Sequence, residues 1–164
     1  MSDFSAAFTT FLDEFTALYP DIRISLIVTD EDLDLSMREA DVAIRTRKPT
    51  QPDLIQRKLF SVRFHAYASP EYLKRFGTPK TLDDLDKHRV LLLGGTVVPN
   101  YFENRRWLME VARNGKGPRV PILTINNILG VQRACQRGIG IALWPDYLVE
   151  ENVGLVQLFG ESDT

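Results

Sequence analysis

From Phe4 to Phe60 the hydrophobic period of the chain switches back and forth between that of a helix and that of a strand. Phe4, Phe8, Phe11, Phe15 and Leu18 recur at spacings of four, three, four and three, which predicts an amphipathic helix. Ser2 or Asp3 can cap its start, and Tyr19-Pro20 ends it. Ile22, Ile24, Leu26 and Val28 then alternate with Arg23 and Ser25, a strand pattern. Leu33 and Met37 suggest a short helix. Val42, Ala43 and Ile44, bounded by charge on both sides, read as a buried strand, and after Pro49 and Pro52 another strand runs from Leu54 to Phe60. The order helix, strand, helix, strand demands right-handed crossovers and a parallel sheet, hence an α/β fold. In such sheets ligands bind beyond the carboxyl ends of strands. Thr29, Arg45 and Thr46 occupy such ends.

The second half supplies its own punctuation. Val62, Phe64, Ala66 and Ala68 predict a strand, Ser69 caps a helix with Pro70 at its first position, and Gly77 closes it. Thr81 with Asp84 is a capping-box-like start for another short helix. Arg89–Leu93 is the next strand, broken by Gly94 and Gly95. Asn114-Gly115 between Trp107–Ala112 and Val120–Ile125 reads as a hairpin-like connection, with Pro121 disfavouring a central position for the second arm. Asn126 or Asn127 caps a helix whose Ile128, Val131 and Cys135 share a face and which Gly138 stops. A strand over Ile139–Trp144, a short helix from Pro145 and a last strand at Leu155–Leu158 complete the reading.

The 164 residues suffice for one domain or two small lobes, and a net charge of −2 argues against this chain gripping a phosphate backbone. Arg105, Arg106, Arg113, Lys116 and Arg119 read as a solvated hairpin face. The single cysteine, Cys135, falls mid-helix and reads as a small buried apolar residue. With no membrane-length apolar run and no basic-then-apolar opening, a cytoplasmic protein is expected. The two histidines, His65 and His88, lack neighbours at metal-ligand spacing, and Asp83 and Asp84 point apart on a helix. Gly138-x-Gly140 sits at a helix end, not at a strand-to-helix turn. No enzyme activity, metal or cofactor is therefore expected. The helix starts near Ser2–Ser5 and at Asn126-Asn127 carry free N–H groups and partial positive charge, which suit a carboxylate or phosphate.

Three stretches also carry a resemblance. Asp41-Val-Ala-Ile-Arg45 with Asp53-Leu-Ile-Gln-Arg-Lys-Leu59, then Ala68-Ser-Pro-Glu-Tyr-Leu73 followed by Gly77, Pro79, Leu82, Leu85 and His88, then Gly138-Ile-Gly-Ile-Ala142 with Pro145, Tyr147 and Gly154-Leu-Val156, resemble the effector-binding domain of LysR-type transcriptional regulators. The resemblance runs through nearly the whole chain in order. It implies a two-lobed fold like type 2 periplasmic binding proteins, with residues 1–64 as an incomplete first lobe, 65–159 as the second and 160–164 as a tail. It implies a small organic acid held between the lobes. The matching positions are Ser5, Thr29, Arg45 and Thr46 on one side and Gly95, Thr96, Val97, Asn126 and Asn127 on the other. It further implies a homodimer or tetramer, in which the first helix can pack on a partner subunit. DNA contact would run only through a helix-turn-helix domain absent from this stretch, and no membrane is involved. The family's strand before the first helix and its return crossover also have no counterpart here. The alternative is a solute-binding protein of the same fold serving a transporter.

Overall fold

The computed structural model of the chain describes residues 4–27, 29, 33, 35–45, 53–95, 103–149 and 154–160. Helix α1 spans Phe4–Leu18, and its aromatic stripe stays open: Phe11 is 67% exposed and Leu18 65%. The strands expected at 22–28, 42–44 and 54–60 do not form among the described residues. Ile22, Ile24, Leu26 and Ile27 are exposed, and Val42 is 79% exposed. Alternation states which face a strand would bury. It supplies no neighbour to take up the N–H and C=O groups, and without one no ladder forms. A single turn of 3-10 helix, Leu35–Met37, stands where the short helix was expected.

The ordered core is built from residue 64 onward. Strands β1 (Phe64–Ala68), β2 (Leu91–Leu93), β3 (Leu123–Ile125), β4 (Ala142–Pro145) and β5 (Val156–Leu158) carry it. β2 pairs with β3 in parallel, and β1 pairs antiparallel with β4 on one side and β5 on the other. A parallel bridge between Val90 and Ile141 joins the two groups, with Leu91 N–H donating to the Ile141 carbonyl and Ile141 N–H to the Arg89 carbonyl, both at 2.8 Å. The spatial order is thus β3-β2-β4-β1-β5, a mixed sheet.

Helices cover both faces, which is why the strands read as nearly continuous apolar runs. One face packs Ala66, Ala68, Val90, Ile141 and Leu158 against Tyr72, Leu85, Leu108 and Met109. These come from α2 (Pro70–Phe76), a 3-10 helix at Leu82–Lys87 and α3 (Trp107–Glu110). The other face packs Tyr67, Leu91, Ala142 and Trp144 against Ile128, Val131, Ala134 and Cys135 of α4 (Ile128–Gln136). Each fully buried Leu, Ile or Val contributes about 1.5–3 kcal/mol. At Gly140 an added Cβ would stand 2.7 Å from the Arg89 carbonyl oxygen, so only glycine lets these two backbones approach.

The caps fall where the sequence places them. Ser69 Oγ accepts the Tyr72 N–H, Thr81 and Asp84 form a reciprocal capping box, Asn127 Oδ1 accepts the Gly130 N–H, and Gly138 ends α4 at φ 72°. The arm before Asn114-Gly115 is a correction. Lys116 N–H donates to the Arg113 carbonyl at 2.8 Å, with φ 45° at Asn114 and 85° at Gly115, which is the mirror-image turn expected of Asn-Gly. Yet Trp107–Glu110 is a turn of helix, not a strand, and β3 pairs with β2 instead of folding back. Four apolar-rich residues satisfy either period, and here Leu108 and Met109 bury against the sheet as a helix face.

Candidate ligand-binding site

β2 and β3 run in parallel and end together, and their carboxyl ends assemble three of the expected residues. Gly94 N–H donates to the Ile125 carbonyl at 3.0 Å, carrying the ladder past the last paired strand residues. Gly95 follows at φ 149°, and a Cβ there would lie 3.1 Å from Asn126 Cβ. Asn127 then opens α4. Gly95, Asn126 and Asn127 are exposed. The free N–H groups of the first turn of α4 and the positive end of its dipole therefore reach solvent beside Gly95. Asn127 spends its side-chain oxygen on the cap, so it supports the site by holding the helix start.

The other expected residues are placed differently. Thr29 and Arg45 are half-buried on the first stretch, and one Arg45 guanidinium nitrogen donates to the Leu33 carbonyl. Arg45 is thereby braced against its own segment. Ser5 is in the first turn of α1, with its side chain outside the described residues; Thr46, Thr96 and Val97 also lie outside them.

Between β1, β2, β4 and α4 lies a small recess that sequence reasoning missed. Phe64, Leu91, Leu93, Ile128, Val131, Leu143 and Pro145 line it, with Arg105 as its one charged lining residue. No local motif could have found it, because its walls come from β1, β2, α4 and β4. Arg105 belongs to the five basic residues read as a solvated face, and that reading needs correction. Arg113, Lys116 and Arg119 converge on Asp86: the Arg113 guanidinium pairs with Oδ1, Lys116 Nζ reaches Oδ2 at 3.1 Å, and Arg119 reaches Oδ1 at 2.7 Å. Arg119 is 8% exposed and also donates to the carbonyls of Leu108, Val111 and Leu82. Lys116, with Arg113 and Arg119 behind it, holds the Asp86 carboxyl down to about 2. Arg106 pairs with Glu110. These cations serve the fold.

Other titratable groups are structural too. Tyr72 Oη accepts the Arg89 N–H at 2.9 Å and lies 3.1 Å from His88 Nδ1; burial lowers the His88 pKa. Burial pushes the Cys135 thiol up to about 12, and its Sγ donates to the Tyr67 carbonyl. Such a thiol is inert as a nucleophile at neutral pH. No described helix is long and apolar enough to cross a membrane.

Comparison with known proteins agrees with this architecture. The family model described as the LysR substrate binding domain matches residues 4–162. The HTH-type transcriptional regulator CrgA of Neisseria meningitidis serogroup C is 31% identical over 151 residues, which are 90% of this chain and 49% of that protein. An HTH-type transcriptional regulator of Xanthomonas campestris pv. campestris is 33% identical over 141 residues, covering 85% of this chain and 40% of that one. The chain spans about half the length of the curated relatives it matches. Among solved structures, the CrgA regulatory domain superposes with a TM-score of 0.76 at 28% identity over 96% of this chain and 76% of that one. The regulatory domain of AphB from Vibrio vulnificus gives 0.62 at 28% identity over 92% and 73%.

Proposed function

The chain belongs to the LysR substrate-binding domain family, with its two-lobed, type 2 periplasmic-binding-protein-like α/β fold, and from that premise we propose that it senses a small anionic metabolite. The metabolite sits between a first lobe, residues 1–64, and a second, residues 65–159, with 160–164 as the tail that leaves the second lobe. One observation carries this reading: the carboxyl ends of parallel β2 and β3 bring Gly95 and Asn126 together at the start of α4. A carboxylate there meets unpaired N–H groups and a helix dipole, interactions worth about 0.3–2 kcal/mol each before any side chain is counted. The remaining contacts proposed for the ligand are Thr29 and Arg45, together with Ser5, Thr46, Thr96 and Val97, whose side chains lie outside the described residues.

The signal is a population shift. A ligand that binds the closed lobes more tightly than the open ones favours closure by that difference alone. The readout is DNA binding through a helix-turn-helix domain of the longer protein, as in the regulators this chain resembles. The chain acts as a homodimer or tetramer, and the exposed Phe11, Phe15 and Leu18 stripe of α1 is the face that a partner subunit covers. A continuous apolar stripe on a helix is otherwise a liability in water. The protein works in the cytoplasm and catalyses no reaction.

Thermal unfolding in the presence of small carboxylates tests the reading. A site-specific acid raises the midpoint with concentration by mass action. A panel of mono- and dicarboxylates at millimolar concentration that leaves the midpoint unmoved overturns it.

A further inference from the structure

Two guanidinium groups share one aromatic ring on the outside of the second half. The Arg75 guanidinium carbon stands 5.2 Å from the centroid of Phe76, and that of Arg89 stands 4.8 Å from the same centroid. Both arginines are exposed. The ion pairs of this half run elsewhere: Lys87 to Asp84, Arg106 to Glu110, and Arg113, Lys116 and Arg119 to Asp86. Among the described residues no carboxylate pairs with Arg75 or Arg89. We propose that the Arg75–Phe76–Arg89 surface docks an acidic segment of a partner protein, one with two carboxylates two or three residues apart.

Both cations are presented from fixed backbone. Arg75 is in the last turn of α2, which Gly77 closes by donating its N–H to the Leu73 carbonyl at 2.9 Å. Arg89 is held at both backbone groups: its N–H donates to Tyr72 Oη at 2.9 Å, and its carbonyl accepts the Ile141 N–H at 2.8 Å. Tyr72 is buried and its ring centroid lies 4.8 Å from that of Phe76, so the shared ring is backed by the core. The ring attracts each cation, but the two like charges repel, and a carboxylate placed across them removes that conflict. Binding then pays little to order the groups that make it.

Magnitudes choose the occupant. An exposed ion pair strengthens association by about fivefold at most, so a free carboxylate or phosphate gains too little to stay bound at millimolar concentration. A segment that meets both cations combines the two gains, and an apolar residue beside its acids adds contact with the half-buried Phe76 ring. The two guanidinium carbons are at most about 10 Å apart. Acids two or three residues apart in an extended segment span roughly 7–10 Å, which matches. Duplex DNA is disfavoured: the chain carries a net charge of −2, and exposed Glu71 on α2 and Asp83 on the following 3-10 helix repel a continuous phosphate backbone. Arg89 precedes the amino end of β2 and Gly95 follows its carboxyl end, so this surface and the proposed ligand site lie at opposite ends of one strand.

The experiment uses the whole chain and the fluorescence anisotropy of a labelled peptide with the repeat Glu-Leu-Glu. The same peptide with glutamine for glutamate is the neutral control, and inorganic phosphate and a short DNA duplex are competitors. The expected result is saturable binding of the glutamate peptide below about 1 mM, weakened by added salt, and binding of the glutamine peptide weaker by about tenfold or more. Arg75→Gln combined with Arg89→Gln should weaken the glutamate peptide by about tenfold or more. Arg57→Gln combined with Lys58→Gln removes the same charge from exposed positions elsewhere and should change binding by less than about twofold. Arg75→Gln alone, at an exposed helix position, should weaken binding about threefold and reads the site even if the double variant unfolds. The proposal is overturned if the glutamate peptide does not bind, if the glutamine peptide binds as well, or if the two double variants weaken binding equally. It is also overturned if phosphate or DNA displaces the peptide at lower concentration than unlabelled peptide does. None of these outcomes touches carboxylate sensing, which the unfolding midpoint reads separately.

Discussion

Asp146 and Arg63 hold each other twice. The Asp146 N–H donates to the Arg63 carbonyl at 2.8 Å, and Asp146 Oδ2 accepts the Arg63 N–H at 3.3 Å, while its Oδ1 accepts the Tyr147 N–H at 2.8 Å. The pair extends the β1–β4 register, Phe64 against Pro145, one residue toward the first stretch. The carboxylate thus closes the sheet at the point where the crossover enters it. Asp146→Ala should cost about 1 kcal/mol in urea unfolding. It should also speed amide exchange at Arg63 and Tyr147 while leaving β2 and β3 unchanged. A uniform rise in exchange across the sheet would show that Asp146 has no local role there.

The Asp86 cluster should dominate the stability of its face. Arg119→Met removes the donors to three carbonyls and one carboxylate, all against the buried ends of α3 and the 3-10 helix, and should cost about 3 kcal/mol by chemical denaturation. Lys116→Met, at the exposed side of the same carboxylate, should change stability by less than about 1 kcal/mol.

Acid should expose the same cluster. Asp84 and Asp86 both fall from an ordinary 3.8 to about 2 in the folded chain, Asp84 chiefly through the Thr81 N–H and Asp86 chiefly through Lys116. A depressed carboxylate stabilises the fold above its unfolded value and loses that contribution as pH drops through the folded one. The unfolding midpoint should therefore decline between about pH 4 and pH 2, and the decline should be shallower in Asp86→Asn.

His88 acts in the same direction at higher pH. Burial lowers its pKa from 6.5, so the unfolded chain binds the proton more tightly. Its contribution is complete above that value and is lost as pH falls through it. Calorimetry from pH 8 to pH 5 should show this slope, and His88→Gln should flatten it. Tyr72→Phe strands the Arg89 N–H and should cost about 1–3 kcal/mol.

Cys135 should resist alkylation. With its thiol pushed up to about 12 and 1% exposed, iodoacetamide should label it only at the rate of unfolding. Rapid labelling of the native chain would contradict the placement of α4 against Tyr67.

Local signals were legible and distant ones were not. Ser69, the Thr81–Asp84 box, Asn127 and Gly138 act over three or four residues, so the chain announces them directly. The convergence of Gly95 on Asn126 was legible through family order, not through any local rule. The Asp86 partners lie 27 to 33 residues away, and nothing near Arg113 or Arg119 names them. Trp107–Glu110 is too short for its period to decide between helix and strand. The strands expected before residue 61 were read from local hydrophobic pattern, which cannot supply a neighbour.

β1 is flanked by a ladder on each side, so the strand that receives the crossover cannot swing without shearing two rows of hydrogen bonds at once. A displacement of the first stretch would bend the residues ahead of Phe64 more readily than β1 itself.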